Sequence, residues 1–112
     1  MTTRLETRDD GLYIVSTDAE GKSMEPKKVI RGWESFTGWY WFAVEKVEER
    51  KVAEGGGSII DGREVDDTIW FGYVQGIEEE WGDFSQAEIE SLGKMTTWAI
   101  KPQDLRHAGR RR

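Results

Sequence analysis

The 112-residue chain has no cysteine, a single histidine and two prolines. Without thiols there is no disulfide, no thiolate metal site and no cysteine nucleophile. With His107 as its one imidazole, a zinc centre or a histidine-based acid–base relay has too few ligands to be built. Long apolar runs are missing as well. No stretch approaches the length that crosses a bilayer, and the opening Met1-Thr2-Thr3-Arg4-Leu5-Glu6-Thr7-Arg8-Asp9-Asp10 lacks the apolar segment of a signal peptide. The expectation is therefore a soluble, unexported, cytoplasmic protein with no membrane contact. Basic charge is scarce where acid is dense: residues 61–90 carry ten acids and one base, a balance of −9 within a chain whose net charge is −6. Such a body repels a phosphate backbone. The compensating positive charge lies at the C-terminus, where residues 101–112 hold five bases and one acid.

Aromatic residues are abundant, at 12% with six tryptophans, and each ring offers on the order of 150–250 Å² of burial. One domain over residues 1–105 is expected, followed by a basic disordered tail at 106–112. Gly11–Ser16 (Leu12, Tyr13, Ile14, Val15) fits a first strand, and Lys27–Gly32 a second. The clearest strand is Trp39–Val47, where alternation sets Trp39, Trp41 and Ala43 on one face and Tyr40, Phe42 and Val44 on the other. Both faces are apolar at its start, the pattern of a central strand covered on two sides. Residues 48–67, with Gly55-Gly56-Gly57-Ser58 and Asp61-Gly62, read as a flexible hairpin excursion pinned by Ile59 and Ile60. Thr68–Ile77 resumes the β pattern and is expected to pair antiparallel with the Trp39 strand. Gly72 and Gly76 leave room there for an opposing Trp or a crossing backbone.

A helix over Gln86–Leu92 follows from a capping mechanism. Ser85 is the N-cap, Glu88 stands at the N3 position of a capping box, Phe84 and Ile89 form the staple, and Gly93 closes the end. Ile89 and Leu92 are its expected inner face. Lys94–Ile100 makes a last strand, ended by Lys101-Pro102. The fold class is thus α+β: a small antiparallel sheet of about four or five strands with one short capped helix on one face.

No catalytic residue, cofactor or metal site is assigned. Asp66, Asp67, Glu78, Glu79, Glu80 and Asp83 offer enough oxygen ligands for a hard cation if they converge; a solvated acidic rim is the competing reading, and the one adopted. Ser85 lacks a nucleophile elbow and a histidine partner, and its cap role accounts for it. The glycine run lacks the lysine of a phosphate loop. Trp39-Tyr40-Trp41-Phe42 has the composition of a base-stacking platform but no interleaved cations, so core is the reading taken. Trp33, Trp81 and Trp98 remain as partner anchors. The candidate protein-binding face is Asp66, Asp67, Glu78, Glu79, Glu80, Trp81 and Asp83. Candidate nucleic-acid contacts are Arg106, Arg110, Arg111 and Arg112; contact with the acidic face of a second copy, or no role, stand beside that reading.

The order Gly38-Trp39-Tyr40-Trp41-Phe42, then Phe71-Gly72-Tyr73-Val74-Gln75-Gly76-Ile77-Glu78-Glu79-Glu80-Trp81-Gly82-Asp83-Phe84-Ser85-Gln86-Ala87-Glu88-Ile89-Glu90, resembles a domain-of-unknown-function family with the pattern W-x-W-Y … F-G-x-V-x-G-x-E-x-E-x-G-x-F-S-x-x-E-x-E. The resemblance spans about residues 36–92. It implies a small protein borne by a plasmid, conjugative element or phage, and supplies no catalytic residues. The glycine excursion and the basic tail depart from the pattern. Three function classes follow. The first is a non-enzymatic protein-interaction module, in its sharper form a host-defence antagonist whose carboxylates mimic phosphates. The second is a nucleic-acid-binding accessory protein using the tail and the aromatic strand. The third, ranked last, is a divalent-metal enzyme.

Overall fold

A computed structural model describes residues 2–53 and 64–111. It begins with a strand the sequence reading left out. Thr2–Arg8 (β1) pairs antiparallel with Gly11–Thr17 (β2), Arg8 opposite Gly11, so Asp9 and Asp10 form a two-residue turn. β1 carries one buried apolar side chain, Leu5, among alternating polar ones. Its hydrophobic pattern is too thin to announce a strand, and its neighbour supplies the order. Lys27–Lys28 (β3) completes a three-stranded sheet β1-β2-β3.

The second sheet has five strands in the order β7-β6-β5-β4-β8, with Arg31–Ser35 (β4), Tyr40–Ala53 (β5), Glu64–Gln75 (β6), Glu79–Ser85 (β7) and Thr97–Ala99 (β8). All its pairings are antiparallel. The expected excursion at 48–67 is shorter than anticipated, because the β5–β6 ladder continues out to Ala53 opposite Glu64. Its tip, with Gly55–Ser58, Ile59, Ile60 and Asp61-Gly62, lies outside the described residues. β5 loses register between Ala43 and Glu45 and again between Lys46 and Glu48. Each bulge adds a residue on one strand only, which shifts the side-chain alternation and tightens the twist.

The two faces of β5 behave as alternation requires. Phe42 joins Leu5, Leu12, Ile14, Val29, Tyr73, Ile100 and Leu105 in a core between the sheets, with Tyr40 and Val44 packed against it. Ala43 joins Trp33, Trp70 and Ile89 in a second cluster on the outer face, flanked by Trp41 and Phe84. A helix, Gln86–Glu90 (α1), covers this second cluster. The chain stitches the sheets together as it passes from β3 to β4: Val29 N–H donates to the Leu12 carbonyl at 2.9 Å and Ile30 N–H to the Ala43 carbonyl at 2.8 Å.

Both glycines of β6 and its turn are explained by what they face. A Cβ at Gly72 would overlap the Phe42 carbonyl across the ladder, and one at Gly76 would meet the Trp39 ring. One is the backbone crossing, the other the opposing Trp. After β8, Pro102 starts a 3-10 helix over Pro102–His107 that brings Leu105 into the core.

The C-terminal segment corrects the expectation of a loose tail. The buried Gln75 amide brackets Arg110, accepting its backbone N–H at 2.7 Å and donating to its carbonyl at 3.0 Å. The Arg106 guanidinium donates to the Arg8 carbonyl at 3.0 Å, that of Arg110 to the Gly76 carbonyl, and that of Arg111 to the carbonyls of Arg106 and Ala108. A side-chain amide 35 residues away supplies the partner that the tail sequence lacks. Arg112 lies outside the described residues.

A candidate protein-binding groove

The groove is built around the start of α1. Ser85 ends β7 opposite Ile69, and its Oγ accepts the Glu88 N–H at 3.1 Å, the N-cap bond the sequence implies. The reciprocal half of the capping box is replaced. Glu88 is exposed, and its carboxylate makes no hydrogen bond or ion pair among the described residues. Asp67, from β6, acts instead: its Oδ1 accepts the Ala87 N–H at 2.8 Å, while Oδ2 accepts the Ser85 hydroxyl at 2.8 Å and Arg50 Nε at 3.0 Å. Burial pushes this carboxyl's pKa up. The Ala87 amide, the Ser85 hydroxyl and Arg50 pull harder, and the net result lies below the ordinary carboxylate value. A carboxylate at a helix N-terminus also meets the positive end of the peptide dipoles.

Two further contacts fix the helix on the sheet. Gln86 Oε1 accepts the Trp70 indole N–H at 3.0 Å and Arg31 at 3.3 Å, and the Arg31 guanidinium lies 4.8 Å above the Trp33 ring. At the other end the Thr97 hydroxyl donates to the Ile89 carbonyl at 2.7 Å. The helix stops at Glu90, earlier than expected, with Gly93 at φ 90° closing the turn. Leu92, expected inside, is therefore 56% exposed.

A short helix cannot cover the outer face of a five-stranded sheet. Beside α1 it leaves a groove of about 490 Å³ floored by Trp41, Phe84, Ile89 and Leu92 and bordered by Asp83, Ser85, Glu88 and Ser91. The Trp39 ring lies 5.7 Å from that of Trp41, over Gly76. Asp83 also has no hydrogen-bond or ion-pair partner for its carboxylate among the described residues, but it stands opposite Phe71 in the β6–β7 ladder, so its side chain leaves from the other face of the sheet.

The other residues of the expected acidic face do not assemble into one surface. Asp67 is 3% exposed and committed to the cap, so it leaves the set. Asp66 pairs with Lys51 at 3.0 Å. Glu79 is half-buried and accepts from Gln75 at 3.1 Å and from the Tyr73 hydroxyl at 3.2 Å, while Glu78 and Glu80 are exposed beside it. From Asp66 to Gln75, opposite Glu79, the strand runs about 30 Å at the usual rise per residue. Acids that are near in sequence are spread along a strand, and the described residues contain no group of three His, Cys, Asp or Glu placed to hold a metal ion.

The tryptophan anchors divide similarly. Trp33 is fully buried and so presents no surface. Trp81 is half-buried, stacked on Phe71 with centroids 5.6 Å apart and planes at 13°. Trp98 is 39% exposed and donates its indole N–H to Glu34 at 2.9 Å. Of the aromatic run, Phe42 is buried with Tyr40 stacked on it, and Trp41 lines the groove. The sequence reading missed Asp67 as the cap partner, because its contacts lie 17 to 20 residues away. It also missed Trp41 and Leu92 as a partly open floor; the signal was the shortness of the capped segment, too small to hide so many aromatics. Comparison of the chain with family models, with curated proteins and with solved structures finds no match.

Proposed function

We propose that the protein is a non-enzymatic interaction module that docks a basic segment of a partner protein in the groove beside α1. The carrying observation is the juxtaposition of an apolar floor (Trp41, Phe84, Leu92) with the Glu88 carboxylate, which has no partner among the described residues. An apolar side chain of the partner buries against the floor, and a Lys or Arg beside it meets the Glu88 carboxylate. Aromatic floors of this kind concentrate binding energy, and rim charges set orientation and association rate. A narrower version makes the partner a nucleic-acid-processing protein of a host, with the acidic groove standing where phosphates would. The nucleic-acid reading is weakened because the arginines it relies on, Arg106, Arg110 and Arg111, are tied to backbone carbonyls.

The test is capture from host lysate, after nuclease treatment, by the full chain and by Leu92→Arg, Glu88→Lys and, as a control away from the groove, Ile77→Ser. Both groove residues are exposed, so folding is preserved. A partner lost with the two groove variants and retained by Ile77→Ser supports the reading. Capture indifferent to the groove, or recovery of nucleic acid alone, overturns it.

A further inference from the structure

The inter-sheet core is filled at one end only. Phe71 lies two residues from Tyr73 on β6, and Trp81 lies directly opposite Tyr73 on β7, so all three project from the same face of the five-stranded sheet. Tyr73 is buried under the facing sheet, whereas Phe71 and Trp81 are only half-buried. Between them and β2 lies a cavity of about 230 Å³ whose walls include Ile14, Ser16, Met24, Lys27, Phe71 and Trp81.

Its chemistry is uneven. The inner walls are almost wholly apolar, the Ser16 hydroxyl is already bonded to Thr3 Oγ1 at 3.0 Å, and the charged groups stand at the rim. An apolar recess of this size has room for an apolar guest; about 150 Å³ suffices for benzene. Lys27 stands directly opposite Ile14 in the β2–β3 ladder, which sends its stem out on the Ile14 side, towards the cavity. Its neighbour Lys28 is opposite Tyr13, on the other face, and pairs with Asp10 at 3.5 Å. Lys27 has no ion pair or hydrogen bond among the described residues. Glu25 borders the same rim, likewise without a partner. It disfavours a second negative charge on the guest. Met24, 49% exposed, gives the mouth an adaptable thioether edge.

We propose that this cavity binds a small amphipathic monoacid, with a flat apolar body of one or two rings lying against Phe71 and Trp81 and its carboxylate meeting the Lys27 ammonium. The site is on the opposite face of the sheet from the α1 groove and is independent of it. The guest exchanges half-exposed aromatic surface for contact, and the ammonium sets its polarity.

The test is an NMR titration of the full chain with 1-naphthoate, following the Trp81 indole N–H and the Met24 methyl. The comparators are 1-naphthylmethanol and 1-naphthylmethylammonium, and the variants are Lys27→Gln and Met24→Ala. The Trp33 indole N–H, buried in the other cluster, reports that each variant is folded. The expected result is saturable naphthoate binding that moves both reporters, weakened about tenfold by Lys27→Gln, as loss of a charge-assisted contact implies. The neutral alcohol should bind equally to both forms and the ammonium most weakly. Absence of saturable shifts at Trp81 and the Met24 methyl in the unmodified chain, and at Trp81 in Met24→Ala, overturns the proposal. So does naphthoate binding that Lys27→Gln leaves unchanged, or a preference for the ammonium.

Discussion

Along one continuous ladder, β5 and β6 pass through two environments. At the near end, Tyr40–Val44 and Gly72–Gln75 are packed on both faces, with Phe42, Ala43 and Tyr73 at 4% exposure or less. At the far end, Glu48 to Lys51 are all exposed, and the cross-strand contacts are ion pairs: Arg50 with Asp67 and Lys51 with Asp66. Both ends share the same antiparallel pairing, but only the near end removes apolar surface from water. Ladder hydrogen bonds exchange with water bonds at modest net gain, while burial is the dominant favourable contribution. The far end is thus an extension held by its attachment to the near end, and Asp67 is where the two meet.

The largest effect that sharpens this contrast is Phe42→Ala, expected to cost about 3–5 kcal/mol in denaturant unfolding through lost burial and a cavity. Val47→Ala, 52% exposed on the same strand, should stay within about 0.5 kcal/mol. Comparable losses at the two sites would break the distinction.

Asp67→Asn comes next, at about 1.5–3 kcal/mol, because bonds to a buried charged acceptor are weakened. The sign with pH follows from its lowered pKa. The unfolded chain binds the proton more readily, so the stabilisation is complete above the ordinary carboxylate range and is lost as pH falls through the lowered folded-state value. Unfolding curves of the two forms should therefore converge in strong acid; a gap that persists there would mean the carboxylate's charge is not the cause.

Ser85→Ala should cost about 1 kcal/mol, the usual worth of an N-cap hydroxyl. Hydrogen exchange should show faster opening at Glu88, whose amide loses its acceptor, while the near ladder keeps its protection. Smallest of all is Lys51→Ala, whose pair with Asp66 is exposed on both sides. A shift close to the scatter of thermal melts, shrinking further as salt is added, is expected. A larger loss would show that the far end has stability of its own.

Much of the fold was legible in local patterns. The alternation of Tyr40, Phe42 and Val44 against Trp41 and Ala43, the pairing across the long hairpin, the obstacles facing Gly72 and Gly76, and the Ser85 cap all reappear in space. β1 was not legible, because one buried leucine in seven residues leaves no period to read. The tail was misread for a related reason: a run of Gly and Arg carries no packing signal, and its order comes from the Gln75 amide. Of the candidate acidic face, Asp83 lies beside the groove with its side chain on the opposite face, while Asp67 is buried in the cap and Asp66 is neutralised by Lys51.

The sequence by itself determined the α+β class, the strand faces and the helix start, since side-chain period, capping and turn chemistry act between residues a few positions apart. Tertiary structure alone decided which carboxylate caps α1, which tryptophans are covered, how the last arginines are held and where the two sheets part to leave the cavity above Phe71 and Trp81. Those outcomes depend on which surfaces meet across separations of tens of residues, and the residue types involved are the same ones that elsewhere in this chain are core, cap or solvated rim.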